Sequence, residues 1–313
     1  MLDIFVNLKR FEVSRDLGGT CALDSPKAWI ESVMGKLVED GLGARDDVGV
    51  TFFLPEALII PAVEHLSSYS EARTQAIRIG CQSVFREDIR KGGNFGAFTS
   101  NRPATAMKAL GCEWALIGHS EERRDKVGLL GGLLAALPEG TVAANAVSET
   151  VSRFVNEEAL RALEAGLDVE ICIGETAEER GTGTAEEQGE RVRATLRRQL
   201  EMSLAGIEPF LDARRVVVAY EPIWAIGPGR TPPTPEAIET VAGFIKAATA
   251  ELFGAALPVV YGGGLKEENA RAICALPSID GGLVALTRFA GEIGFYPAEF
   301  ETIVAEALEG AAG

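Results

Sequence analysis

The chain has 313 residues, with 30 Lys and Arg against 46 Asp and Glu, a formal net charge of −16, and 47% of its residues are hydrophobic. With no run of Lys or Arg, that balance argues against nucleic acid and against an anionic membrane as partners. The length suits either two ordinary domains or one large α/β barrel with insertions. The N-terminus, Met1-Leu2-Asp3-Ile4-Phe5-Val6-Asn7, lacks the basic stretch and apolar core of a secretory signal, and the most apolar later run, Gly128 to Leu137, is too short to span a bilayer. Five scattered cysteines (Cys21, Cys81, Cys112, Cys172, Cys274) read as reduced thiols of a cytoplasmic protein. His65 and His119 are the only histidines, so a His-rich metal site cannot be built, and no metal is expected.

Short β-rich runs alternate with longer amphipathic ones along the whole chain. The strand candidates are Leu2-Asn7, Val48-Leu54, Ala76-Gln82, Trp114-Gly118, Val169-Gly174, Val216-Glu221, Pro258-Gly262 and Ile279-Leu286. Helical spacing marks Pro26-Asp40, Ala104-Leu110, Glu149-Ala165, Ala185-Ala205, Pro235-Phe253, Lys266-Leu276 and Pro297-Leu308. Ser25-Pro26 and Thr234-Pro235 are start signals, an N-cap followed by Pro at the first helical position. Strands alternating with helices, eight strands in all, predict the α/β class and a (βα)8 barrel of parallel strands with outer helices. No Pro, Gly or Ser linker divides the chain, which predicts one domain over residues 1–313.

In a barrel the chemistry collects where strands end. Asn7-Leu8-Lys9 follows the first strand, Gly118-His119-Ser120-Glu121 the fourth, Tyr220-Glu221-Pro222 the sixth and Tyr261-Gly262-Gly263-Gly264 the seventh. His119 precedes a helix start, read with Ser120 as N-cap. If its Nδ1 accepts a backbone N–H there, the cationic form is disfavoured and Nε2–H becomes a neutral donor. A lone histidine is more often a packing or capping residue, but its place opposite Glu221 favours a role in chemistry. Glu221 could be a solvated strand terminus; the apolar loop Pro222 to Arg230, flanked by Pro and Gly, reads instead as a lid over a candidate base.

Taken in order, Asn7-x-Lys9, Gly96-Ala97-Phe98-Thr99, Gly118-His119-Ser120-Glu121, Cys172-Ile173-Gly174-Glu175, Tyr220 to Gly227 and Tyr261-Gly262-Gly263 resemble the triosephosphate isomerase family over essentially the whole barrel. The resemblance implies the TIM-barrel fold and a cofactor-free aldose–ketose isomerase. In it Glu221 is the base, His119 the neutral electrophile, Lys9 the cation, Asn7 its positioning partner and Glu121 a supporting carboxylate. It further implies that Gly227 offers a backbone N–H to a phosphorylated sugar, that Glu175 holds Trp224 while the lid is open, and that Thr99 belongs to a loop inserted beside a neighbouring subunit's site in a homodimer.

The phosphate end departs from the family pattern. Gly264, after Gly263, stands where a Ser is usual, and Ala285-Leu286 replaces a Gly-Gly pair, so side chains occupy places where bare backbone lets an anion approach. Arg288 is the candidate compensating group, with a solvated loop arginine as the plain alternative. Asn101 and Glu122 stand where a Glu and an Arg are expected to pair across the dimer. Insertions are read at 12–24, 83–95, 125–148 and 290–295, and the apolar run Val127 to Leu134 is expected to need burial. Two alternatives stay open: an isomerase of a different small sugar or sugar phosphate, and a non-enzymatic barrel paralogue.

Overall fold

The computed structural model describes residues 1–136, 138, 145–227 and 229–313. Eight parallel strands close into a barrel in chain order: β1 (Leu2–Asn7), β2 (Val48–Leu54), β3 (Ile77–Gln82), β4 (Trp114–Ile117), β5 (Asp168–Ile173), β6 (Val216–Tyr220), β7 (Val259–Tyr261) and β8 (Gly281–Val284). β8 pairs back onto β1 with Ile4 opposite Gly282, and this closure leaves no strand edge exposed. The helices among the described residues are α1 (Pro26–Glu39), α2 (Glu56–Ser67), α3 (Glu71–Thr74), α4 (Ala104–Ala109), α5 (Ser120–Leu134), α6 (Ala146–Glu164), α7 (Ala177–Arg180), α8 (Ala185–Ser203), α9 (Pro235–Phe253), α10 (Glu267–Cys274) and α11 (Pro297–Ala311).

Strand residues alternate between two cores, as a period of two requires. Phe5, Phe53, Trp114, Leu116, Cys172, Val217, Ala219, Val260 and Leu283 fill the barrel interior, while Ile4, Val6, Val50, Phe52, Ile117, Ile171 and Val218 face the helices. The start signals act as expected: Ser25 Oγ accepts from the Ala28 N–H with Pro26 in the first turn, and Thr234 Oγ1 accepts from the Ala237 N–H ahead of Pro235. Strand ends are mostly trimmed by a residue or two relative to the sequence expectation, and the last strand by more, while β5 begins one residue earlier, at Asp168. α2 has no counterpart among the expected helices because its apolar run, Ala57-Leu58-Ile59-Ile60, has no clear polar face. α6 begins at Ala146, before the expected Glu149.

A fully buried acid interrupts the apolar pattern of the interior. Glu170 on β5 lies in register with Leu116 and Val217, is fully buried, and has neither carboxyl oxygen hydrogen-bonded. Burial, reinforced by the nearby Glu221 and Asp3 carboxylates, pushes this acid well above the usual carboxylate range, so it keeps its proton in the fold. The unfolded chain ionises it above about pH 4.3. The associated cost is therefore absent in acid and grows as pH rises toward the folded pKa. Glu170→Gln should gain thermal stability over the native protein between pH 5 and pH 8, by up to about 1.4 kcal/mol per pH unit. A stability difference that does not change with pH would mean that Glu170 does not hold its proton.

Candidate active site

The mouth of the barrel gathers side chains from distant parts of the chain. At the end of β1, Asn7 is buried and its Oδ1 accepts from the Lys9 N–H at 3.0 Å and from Gln82 Nε2 at 3.0 Å. Gln82, at the end of β3, also donates to the Lys9 carbonyl at 3.1 Å. These bonds hold Lys9 in a left-handed conformation with φ +41, a state costing of order 1–3 kcal/mol for a residue with a side chain. The strain aims the ammonium across the mouth, where Nζ lies 2.7 Å from Glu121 Oε1. Burial is the largest influence and would raise the Glu121 carboxyl; the hydrogen bond and the charge of Lys9, with His119 and Arg124 nearby, together outweigh it and hold the group below the usual carboxylate range.

His119 is itself the N-cap of α5, and the helix begins at Ser120, which corrects the expectation of Ser120 as the cap. His119 Nδ1 accepts from the Glu121 N–H at 3.3 Å, which assigns the proton of a neutral ring to Nε2. Nε2 lies 3.3 Å from Glu221 Oε1. Freed from capping, Ser120 holds the carboxylate of Glu221: its N–H donates to Oε2 at 2.9 Å and its hydroxyl to Oε1 at 3.2 Å. Glu221 is only 3% exposed. Glycines clear its space, since a Cβ on Gly262 would stand 2.8 Å from Glu221 Cγ and one on Gly174 would stand 1.7 Å from the Glu221 carbonyl oxygen. Buried Arg123 ties the neighbouring strand ends together, donating to the Gly118 carbonyl at 2.8 Å and to that of Cys172 at 3.0 Å.

The segment after β6 is tied to the residues that follow β5. Trp224 Nε1 donates to Glu175 Oε1 at 2.7 Å, Tyr220 OH donates to the same oxygen at 3.2 Å, and the Arg180 guanidinium lies 4.3 Å from the centre of the Trp224 ring. Gly227 is exposed with φ +115; Pro228, in the expected lid, lies outside the described residues. Near the ends of β7 and β8, the N–H groups of Gly263, Gly264, Ala285 and Leu286 have no acceptor among the described residues. Gly264 has φ +96, so a serine side chain could not stand there without strain. Among the described residues, no group of three or more His, Cys, Asp or Glu is placed to hold a metal ion, and no helix is long and apolar enough to cross a membrane.

A family model described as triosephosphate isomerase matches residues 50–305. The curated triosephosphate isomerase of Nitratidesulfovibrio vulgaris is 34% identical over 232 residues, covering 73% of this chain and 79% of the relative. That of Thermus thermophilus is 36% identical over 235 residues, with the same shares of 73% and 79%. The crystal structure of triosephosphate isomerase from Bartonella henselae shares the fold, with a TM-score of 0.64 over 97% of this chain and 98% of that one at 23% identity. The chain belongs to the triosephosphate isomerase family. It is an isomerase of the TIM-barrel fold. The matched stretch begins within β2, so the placement of Asn7 and Lys9 at this site rests on the geometry above.

Against the family pattern, the rebuilt segments find partners within the chain. The Arg288 guanidinium is bound to Glu299, with Nε 2.7 Å from Oε1, and lies 3.8 Å from the centre of the Tyr296 ring. It braces the loop after β8 onto α11. The insertions at 12–24 and 290–295 meet at the mouth, where Arg15 donates to Tyr296 OH at 3.0 Å and pairs with Glu292 at 3.3 Å. Glu122 turns inward, accepting from the Gly118 N–H and from Ser83 Oγ, each at 2.7 Å, and pairing with Lys126. Asn101 and Thr99 are exposed. The insertion expected at 125–148 is in part an extension of α5, and Val127, Leu129 and Leu133 are exposed on it rather than buried; its residues 137 and 139–144 lie outside the described set.

Ser120, Gln82 and Arg123 join the site only in the structure. Ser120 and Gln82 carry one signal that could have found them, a polar residue at or just beyond a strand end. Replacing Gln82 by Met should release Lys9 from its strained turn and lower kcat/KM by roughly tenfold to a hundredfold, the equivalent of about 1.4–2.8 kcal/mol, with little change in melting temperature. Unchanged steady-state kinetics would show that the Lys9 conformation does not depend on Gln82.

Proposed function

We propose that this chain interconverts glyceraldehyde 3-phosphate and dihydroxyacetone phosphate by proton transfer through an enediol. The observation that carries this reading is the approach of a buried, hydrogen-bonded carboxylate to within 3.3 Å of the Nε2 of an N-capping histidine, with a lysine ammonium across the same mouth. A non-enzymatic barrel has no physical need for a base, a neutral donor and a cation converging on one point.

Glu221 removes the proton from the carbon next to the carbonyl and returns it to the adjacent carbon. His119 Nε2–H donates to the carbonyl oxygen as negative charge develops there, and then passes protons between the two oxygens of the enediol. A neutral imidazole suits this task because its proton affinity is closer to that of the enediol oxygens; a glutamate base with a neutral histidine electrophile is the known pattern of triosephosphate isomerases, carried over to Glu221 and His119 by family membership. The Lys9 ammonium stabilises the enediolate electrostatically, Asn7 fixes the Lys9 turn, and Glu121 orients the Lys9 side chain.

The lid links binding to chemistry. Glu221 is directly followed by Pro222, the first residue of the lid, so closure that frees Trp224 from Glu175 also draws Glu221 away from Ser120 toward substrate. Gly227, Gly263, Gly264, Ala285 and Leu286 then supply backbone N–H groups to the phosphate, a set of donors suited to an anion in a chain of net charge −16. The exposed Thr99 loop, whose Phe95 is 84% exposed, supports a homodimer in which this loop reaches the neighbouring subunit. Five buried, unbridged cysteines fit a reducing, cytoplasmic setting.

In a coupled isomerisation assay Glu221→Asp, which withdraws the carboxylate by one methylene, should lower kcat by about 10²–10⁴-fold with little change in KM. Retention of more than a third of native kcat would remove Glu221 from the role of base. Ala285→Gly with Leu286→Gly, which bares the backbone beside the phosphate, should lower KM severalfold at unchanged kcat. A KM that rises instead would place the phosphate elsewhere.

A further inference from the structure

A cleft of about 510 Å³ lies behind the lid, between α8 and α9, on the outer side of the barrel from His119 and Glu221. That volume is within the range of roughly 300–1,000 Å³ typical of small-molecule sites. Its walls are apolar and partly aromatic: Val192 and Leu196 from α8, Val241 and Phe244 from α9, Tyr220, and the face of Trp224. In a chain of net charge −16 its lining includes two arginines, Arg180 and Arg193, and no carboxylate.

The two arginines differ. Arg180 is engaged by Glu175 at 3.3 Å and packs against Trp224. Arg193 is exposed and has no ion pair or hydrogen bond among the described residues. Its Nη1 rests 3.3 Å from where a Cβ of Gly189 would stand, so this mid-helix glycine leaves the room the guanidinium occupies at the edge of the cleft. Apolar walls with a planar indole on one side and an unpaired guanidinium at the rim recognise a flat apolar body carrying one anionic group.

We propose that this cleft is a binding site for a small aromatic carboxylate that holds the lid open. Trp224 forms part of the wall in the arrangement in which it is bonded to Glu175, and the segment Thr231 to Thr234 just beyond the lid lines the same cleft. A ligand seated there binds the open lid better than the closed one. It therefore opposes substrate binding without overlapping the substrate, because each ligand favours a different lid position. The regulatory half of this inference rests on the lid mechanism proposed above; the binding half does not.

The test uses naphthalene-2-carboxylate as the probe and naphthalene-2-carboxamide as its neutral counterpart, with the full-length protein. Calorimetry should show saturable binding of the carboxylate, at least tenfold weaker binding of the carboxamide, and at least tenfold weaker binding of the carboxylate to Arg193→Gln and to the cleft-filling Val241→Trp. Arg193 is exposed, so loss of binding in its variant cannot be ascribed to unfolding. Lys9→Met should bind the probe as the native protein does, which separates this cleft from the barrel mouth. In the coupled assay the carboxylate should raise the KM for glyceraldehyde 3-phosphate severalfold at unchanged kcat in the native protein, and should have no effect on Arg193→Gln, whose basal kinetics stay native. Absence of saturable binding, or binding that survives both cleft substitutions, overturns the site. Equal binding of the carboxamide overturns its anionic character. Cleft binding that leaves KM unmoved overturns the coupling to the lid. A native protein without isomerase activity would refute the proposed function instead, while calorimetry would still decide the cleft.

Discussion

The structure depends on holding one carboxylate out of water without locking it in place. Glu221 is 3% exposed, and two bonds from Ser120 hold it in place of water. Such bonds satisfy a buried carboxylate without making the arrangement permanent, since neither donor is a cation. Barrel closure brings the groups together: the two residues are 101 positions apart in sequence, and meet because β4 and β6 both end at the same mouth. Glycines at 174 and 262 are part of the same requirement, as any side chain there would occupy the space of Glu221.

Charge is handled differently in each layer of the barrel. At the mouth, Lys9 and Glu121 face each other at 2.7 Å in a half-exposed setting, where the pair contributes little to stability and much to orientation. One layer down, Cys172 lies close to Glu221, and burial together with the neighbouring carboxylates raises its thiol well above the ordinary range, so it remains a neutral packing group. Below that, Glu170 is an acid kept neutral by burial. Glu221, at the top, is the carboxylate that Ser120 holds at the mouth. At the ends of β7 and β8, where Gly264, Ala285 and Leu286 depart from the family pattern, backbone N–H groups remain without an acceptor among the described residues.

Most of the fold is legible in the sequence because the signals are local. β1 and β2 match their expected bounds residue for residue, and α9 spans the expected Pro235 to Phe253 with Thr234 as its N-cap. The principal strand-end residues are legible as chemical types. Partnership across the barrel is not. Arg288 looks like a free cation in its loop and is bound to Glu299, eleven residues on, only because α11 folds back beneath it. Glu122 looks like a surface residue in a helix's first turn, yet Gly118 and Ser83 claim it from inside. His119 takes the place of Ser120 as helix cap while both the N–H and the hydroxyl of Ser120 go to Glu221, a partnership visible only once Glu221 is in place.

The central claim is that Glu221 moves a proton between adjacent carbons through an enediol open to exchange. The most direct measurement is turnover of dihydroxyacetone phosphate in deuterium oxide, followed by proton NMR of both triose phosphates. The account predicts deuterium at C2 of the glyceraldehyde 3-phosphate formed, the carbon that receives the proton, and at C1 of the recovered dihydroxyacetone phosphate, the carbon that lost it, with no such labelling with Glu221→Gln. Isomerisation with the original hydrogen fully retained at native rates, or undiminished labelling in the Glu221→Gln protein, would contradict it.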